Sequence, residues 1–389
     1  MKKKSKLLIM ANYSNRTGFA WNNIYSLFSF LANELKKYHV SVFISYSRVE
    51  KPFGKFEKDF EGVFQLAPCS LKFGEISRTV LLIKREKIDS IYLTDQKPSS
   101  FVYFIYRLAG VKTIINHCRV SVPSPLPAKP EHGLRRIIKK TLRGMPFVNC
   151  DSIYAVSGFV KDRLVFKAQV PCDRVKVIRN GIDVDVFSSN NNALGNRRDC
   201  LKIFSGGRAS IYKGFQYLFE AIYVLTNDMK VENIVVEYAG DGPDLEFLKG
   251  VVFKLGIGKY IRFLGEMPST ARAQMDADII VVPSCWGDAC PSSIAEALAC
   301  GKPLVATSVG GIPEMIGDEA NAILVPHADP IAIANALQTL INNPSLRSAL
   351  GARARARAVA ALEVHRYHNE VLSWLLADLG LKEKTVKYG

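Results

Sequence analysis

Four charged side chains in the second half of this 389-residue chain have the types and spacing to handle a polyanion and the hydroxyls beside it. In "GGRASIYKGF", residues 206–215, Arg208 and Lys213 place two cations five residues apart across a loop that opens on two glycines. Glycine lets the backbone approach a ligand closely, and a pair of cations suits a diphosphate. A surface loop with two solvated cations would read the same way. In "SCWGDACPSSIAEALACGKP", residues 284–303, Pro291 suits the first position of a helix, where its missing N–H has no partner to lose. The amides just beyond it would then face outward at the positive end of the helix, an anion site. Glu296, about a turn and a half further in, would reach hydroxyls next to that anion, and its carboxylate suits a ribose diol. Asp288 stands just ahead of the helix, where it could accept hydrogen bonds from a sugar or simply cap the helix.

These loops need a scaffold that brings them together. Short apolar runs alternate with helical patterns along the whole chain. In the first half the expected strands are residues 7–11, 40–45, 90–94, 112–116 and 152–156, with a further strand ending at Ile178. In the second half they are residues 201–205, 234–239, 260–264, 278–283, 303–307 and 322–325. Two runs of strand–helix alternation imply an α/β protein of two Rossmann-like domains with parallel sheets. The Asn180-Gly181 turn and the polar run after it mark the boundary, giving domains over residues 1–180 and 181–365 and a last helix over 366–389 that packs back toward the first domain. In such sheets ligands gather beyond the carboxyl ends of the strands, and both charged loops follow a strand.

Composition narrows the class. Hydrophobic residues make up 48% and charged residues 23%, as in ordinary globular domains. No apolar run approaches the length of a membrane span, and the apolar run after "MKKKSK" is too short for a signal core, so an intracellular protein is expected. Eight cysteines with no C-x-x-C pair read as reduced thiols, not as a zinc site or a disulfide framework. The net charge of +16 is shared unevenly: residues 1–180 carry 32 Lys and Arg against 13 Asp and Glu, while the remainder is slightly acidic. Nucleic acid, anionic lipid and a phosphorylated acceptor are the partners such a half could face. In "EHGLRRIIKKTLRGM" the cations Arg135, Arg136, Lys139, Lys140 and Arg143 surround an apolar helical stripe, the pattern of a helix lying on an anionic membrane or packed on its own domain with a basic rim.

Taken in order, "SIYAVSGFVKDRLV", "VIRNGIDVDVF", "GGRASIYKG", "YAGDGP", "FLGEM", "ADIIVVPS" and "DACPSSIAEALACGKPLVATSVGGIPEMI" resemble a retaining GT-B glycosyltransferase of glycosyltransferase family 4. The resemblance covers most of the chain and is strongest over residues 150–330. It implies two Rossmann-like domains facing a central cleft and a sugar passed from a nucleotide diphosphate, UDP before GDP, to a hydroxyl with retention of configuration and without a divalent metal or other cofactor. By the same resemblance Arg208 and Lys213 bind the diphosphate, Glu296 the ribose, and the turn Gly310–Glu314 helps close the site. Gly207, Ala289, Cys290, Pro291 and Ser292 line the donor, and Gly265 and Met267 meet the base. Asp288 stands where the family usually has a glutamate touching the transferred sugar. Gly18 falls where the family often has two glycines facing the phosphate, and His117 matches a histidine placed near the reacting sugar. The acceptor implied is a glycan or lipid-linked molecule of cell-surface polysaccharide or lipopolysaccharide synthesis, reached from the inner face of an anionic membrane. The rival readings are a nucleotide-sugar epimerase or phosphorylase of the same fold, a non-catalytic nucleotide-sugar binder, and a basic nucleic-acid-binding protein. The last is disfavoured because the cations are dispersed and no binding module is recognisable.

Overall fold

A computed structural model describes residues 5–15, 22–50, 54, 56–119, 145–188 and 200–382. The chain divides into two compact units, residues 1–178 with 367–389, and residues 179–366. Each is built on one parallel sheet.

In the first unit the strands are β1 (Ser5–Ser14), β2 (Val40–Arg48), β3 (Gly62–Gln65), β4 (Ser90–Thr94), β5 (Thr113–Cys118), β6 (Ser152–Ala155) and β7 (Val175–Val177), in the order 3-2-1-4-5-6-7. Its helices are α1 (Asn22–Lys36), α2 (Phe73–Glu86), α3 (Phe101–Leu108) and the short α4 (Gly158–Asp162). The strands are apolar along both faces because both faces are covered, which parallel connections require. Leu7 and Ile9 of β1 pack with Leu27, Phe28 and Leu31 of α1 in one core. Strand β3 was not anticipated: Gly-Val-Phe-Gln is a short edge element with no alternation to reveal it.

The second unit holds β8 (Leu201–Gly206), β9 (Ile234–Ala239), β10 (Ile261–Gly265), β11 (Ile279–Val282), β12 (Leu304–Thr307) and β13 (Ile323–Val325), in the order 10-9-8-11-12-13. Between and after them run α5 (Phe215–Tyr223), α6 (Leu245–Lys254), α7 (Ala271–Asp276), α8 (Ser292–Ala299), α9 (Ile312–Ile316), α10 (Pro330–Asn342) and α11 (Pro344–Ala361). A last helix, α12 (Val364–Asp378), follows, and its Tyr367, Val371 and Leu375 belong to the core of the first unit. There Asp378 accepts hydrogen bonds from Ser152 Oγ at 2.8 Å, Tyr154 Oη at 2.6 Å and Lys176 Nζ at 2.7 Å.

Strand order reverses direction between β1 and β4 in the first sheet, and between β8 and β11 in the second. The connections leave to opposite faces at such a point, which opens a crevice beyond the strand ends. Arg208 and Lys213 follow β8, and Asp288 follows β11, so the second switch point is where the charged loops meet.

Candidate functional site

The loops at this edge are fastened to one another by their backbones. Gly207 N donates to Ala239 O at 2.9 Å, Ala209 N to Asp241 O at 2.9 Å, and Cys285 N to Tyr212 O at 3.1 Å. Asp244 Oδ2 takes the Ile211 amide at 2.9 Å, tying the loop after β9 to the loop after β8. Asp241 Oδ1 accepts from its neighbour Gly242 N at 2.6 Å. Gly214 has φ +75°, and a Cβ there would lie 1.9 Å from Pro283 O. Only glycine both adopts that conformation and lets the two loops touch. The loop that carries Arg208 and Lys213 is therefore seated directly on the loop that leads to Asp288.

Lys213 and Asp288 meet across this seam, with Nζ 2.6 Å from Oδ2 and each side chain 23% exposed. Ser284 Oγ donates to the same carboxylate oxygen at 3.0 Å, and Thr307 Oγ1 donates to Ser284 O at 2.5 Å. The backbone of Asp288 is fixed as well: its carbonyl accepts from Gly311 N at 2.7 Å, and a Cβ on Gly310 would come within 2.2 Å of that oxygen. The turn Gly310–Glu314 thus braces Asp288, and Glu314 Oε1 pairs with Arg179 at 2.6 Å. Ser284 and Thr307 escaped sequence reasoning; the position of Ser284 in the loop just after β11 was the available signal.

Helix α8 begins at Ser292, one residue later than expected. Pro291 has ψ 127°, extended backbone, so it precedes the helix and does not form its first turn. Its carbonyl accepts from Ile294 N at 3.1 Å, which leaves the Ser292 and Ser293 amides as the leading donors of the helix. Glu296 is buried on this helix. Its Oε2 accepts from Gln274 Nε2 at 2.6 Å and from Thr270 Oγ1 at 3.1 Å. Burial pushes its carboxyl above the usual range, against the opposing pull of Gln274, Thr270 and Ser292. Thr270 precedes α7 and Gln274 lies within it, a few residues after Gly265, the last residue of β10, and Met267. Ala289 is buried; Cys290 and Ser292 are half-buried. Burial pushes the Cys290 thiol up to about 11, partly offset by an amide hydrogen bond from Asn180. Arg208 is exposed and makes no hydrogen bond or ion pair among the described residues, so its guanidinium is available to an incoming group.

Two cations, one carboxylate on each side of a helix start and a set of outward amides are thus gathered at one strand edge. That set can neutralise a diphosphate and hold hydroxyls on either flank of it. Among the described residues no three His, Cys, Asp or Glu side chains are grouped to hold a metal ion. All eight cysteines are free thiols.

In the first unit His117 is the penultimate residue of β5 and has no exposed surface. Its Nδ1 is 2.5 Å from Tyr92 Oη and 3.3 Å from Arg119 Nη2. Burial, and then the Arg119 charge, hold its pKa well below the ordinary histidine value, so the ring is neutral. Gly18 and the cations Arg135, Arg136, Lys139, Lys140 and Arg143 lie outside the described residues. Among those described, no helix is long and apolar enough to cross a membrane.

With this geometry in place, comparison with known proteins is decisive at the level of family. Residues 26–186 match the model of Glycosyltransferase Family 4, and residues 187–357 match that of Glycosyl transferases group 1. The chain belongs to this glycosyltransferase family. An uncharacterized glycosyltransferase of Methanocaldococcus jannaschii is 29% identical over 232 residues, which is 55% of this chain and 58% of the relative. A D-inositol 3-phosphate glycosyltransferase of Corynebacterium glutamicum is 27% identical over 264 residues, 63% of this chain and 62% of that protein. The match therefore spans less than two thirds of either relative's length. The crystal structure of Anabaena HepE in complex with UDP-glucose superposes with a TM-score of 0.75 over 95% of this chain and 99% of that one, at 18% identity. The two parallel-sheet units are those of the GT-B fold.

Proposed function

We propose that this family member transfers a sugar from a nucleoside diphosphate sugar, with UDP preferred, to a hydroxyl of a glycan or lipid-linked acceptor. The observation that carries the reading is the meeting of Lys213, Asp288 and the start of α8 at the switch point of the second sheet, with Arg208 exposed on the same loop as Lys213. The diphosphate would lie against Arg208, Lys213 and the Ser292 and Ser293 amides, and the ribose hydroxyls against Glu296. Asp288 would turn from Lys213 to the hydroxyls of the sugar.

In the reaction the bond from the sugar's anomeric carbon to the β-phosphate oxygen breaks, and the diphosphate leaves with the electron pair. The acceptor oxygen forms the new bond on the same face and gives its proton to the departing phosphate oxygen, so configuration is retained. Fixed cations and amides aimed at the leaving group stabilise its charge as it develops, which is the largest catalytic contribution available to this site and calls for no divalent metal. The UDP-glucose held by the structurally similar HepE supports the choice of donor class. The acceptor is assigned to a membrane face because the first 180 residues carry 32 cations against 13 anions. The protein would then work as a cytoplasmic enzyme bound peripherally to the inner membrane surface.

The test is thermal stabilisation by a panel of nucleotides and nucleotide sugars, followed by acceptor-dependent UDP release with and without a chelator. A ligand at a hundred times its dissociation constant adds about 2.7 kcal/mol. Melting curves that no nucleoside diphosphate shifts would defeat the proposal. Arg208→Ala should leave stability within about 0.5 kcal/mol and cut transfer on the order of 10²-fold.

A further inference from the structure

Helix α3 buries one face and leaves an apolar one outside. Val102, Tyr103 and Tyr106 are buried, and Tyr103 Oη donates to Lys97 O at 2.7 Å. The opposite stripe carries Phe101, Phe104, Ile105 and Leu108, at the i, i+3, i+4, i+7 spacing that normally faces a core. Phe101 is 57% exposed and Leu108 is 71% exposed. The 3-10 turn Pro146–Val148 extends the stripe sideways: Phe147 is exposed too, and its ring centre lies 6.4 Å from that of Phe104, which is 5.7 Å from Phe101. Single exposed apolar residues need no explanation, whereas a contiguous group of aromatics marks a contact surface.

The platform beneath is braced. Arg107 donates to the carbonyls of Phe147 at 3.3 Å, Lys112 at 2.8 Å and Asn149 at 3.0 Å, and pairs with Asp151 at 3.0 Å. Its guanidinium is consumed internally, so the patch presents apolar groups without an unsatisfied directional donor. Lys97 and Lys112, joined to the platform through their carbonyls, are exposed, and α3 itself carries no acidic residue. Such a face suits a medium that is apolar, non-directional and negatively charged at its boundary.

We propose that the outer stripe of α3, with Phe147, is a lipid-contact surface by which the first unit docks on an anionic bilayer. The proposal rests on the membrane part of the reading above and is independent of the donor chemistry. The occupant is a bilayer and not a protein groove because the patch is a convex helix face set in a strongly cationic half of the chain.

The experiment uses the full chain with vesicles of phosphatidylcholine alone and of phosphatidylcholine mixed equally with phosphatidylglycerol. The wild type should float with the mixed vesicles, and the Phe101→Ser, Phe147→Ser double variant should lose about tenfold or more in partitioning. Both proteins should show the same UDP-induced melting shift, so a membrane failure is separated from a donor failure. The emission that Phe101→Trp adds to that of the three native tryptophans should be blue-shifted and quenched by brominated lipid on the mixed vesicles only. Equal flotation of wild type and double variant overturns the proposal. So does an added Phe101→Trp emission, taken over the wild-type spectrum, that is already blue-shifted without vesicles, which would mean that the chain's own residues cover the stripe. Concentration-dependent dimerisation abolished by the double variant would assign the face to a second copy, and would also overturn it.

Discussion

Asp288→Asn is expected to tighten the binding of free nucleoside diphosphate while slowing transfer. In the ligand-free protein Lys213 is committed to Asp288 at 2.6 Å, and a diphosphate that claims the ammonium must first draw it away. The Coulomb attraction at that distance is about 6 kcal/mol at an effective dielectric constant of about 20, and about 1.6 kcal/mol in bulk water. Both side chains keep 23% of their exposure, so solvent and the cost of desolvating two ions pull the net value to the lower end, about 1–2 kcal/mol. Removing the carboxylate should therefore improve UDP affinity about 5–30-fold. Turnover with the nucleotide sugar should fall, because the amide is a weaker acceptor for a sugar hydroxyl than the carboxylate. Calorimetric titration of UDP into the wild type, Asp288→Asn, Lys213→Ala and the double variant measures the coupling. The gain should vanish when Lys213 is absent. UDP affinity that Asp288→Asn leaves unchanged or weakens, or a gain that persists without Lys213, would refute the reasoning.

Three further substitutions probe the parts around this pair. Gly214→Ala forces a Cβ to within 1.9 Å of Pro283 O at φ +75°; it should cost about 3 kcal/mol, lower the melting temperature by roughly 6–12 °C, and abolish the UDP-induced shift. Glu296→Gln keeps an oxygen for Thr270 and Gln274 but removes the buried charge. Because burial raises the folded-state pKa of Glu296 above its unfolded value, its stabilising protonation is complete below about pH 4.3 and is lost as pH rises through the folded value. The melting temperature of the wild type relative to Glu296→Gln should therefore fall with rising pH across that window, and a rising difference would contradict the burial argument. Asp378→Asn strands Lys176, whose side chain is only 16% exposed, and weakens two further hydrogen bonds. It should destabilise the first unit by roughly 3 kcal/mol in urea while UDP still binds the second.

Strand positions were legible because buried parallel strands appear as compact apolar runs between helical patterns. A strand covered on both faces carries no inside–outside alternation, so the surroundings of His117 cannot be read from "TIINHCR". Arg208, Lys213, Asp288 and Glu296 could be picked out because each lies in a contiguous loop or helix start with its own local chemistry. Their partners could not. Lys213 and Asp288 are 75 residues apart and meet because β8 and β11 are neighbours in the sheet, and Gln274 is 22 residues from Glu296 on the helix before β11. The start of α8 shifted by one residue because proline fixes φ and leaves ψ free, so Pro291 fits an extended N-cap as well as a first helical turn.

The return of α12 to the first core has a consequence for how the chain is made. The second unit is one continuous segment and emerges whole from the ribosome. The first unit must wait: Tyr367, Val371 and Leu375 are synthesised only after the second unit is complete, and until then their places against Ile9, Phe28 and Tyr154 stand open. The amino-terminal half therefore spends the longer part of translation with an unfinished apolar face, dependent on chaperones or on its own residual stability. The core of the first unit can therefore close only after the whole of the second unit has been made.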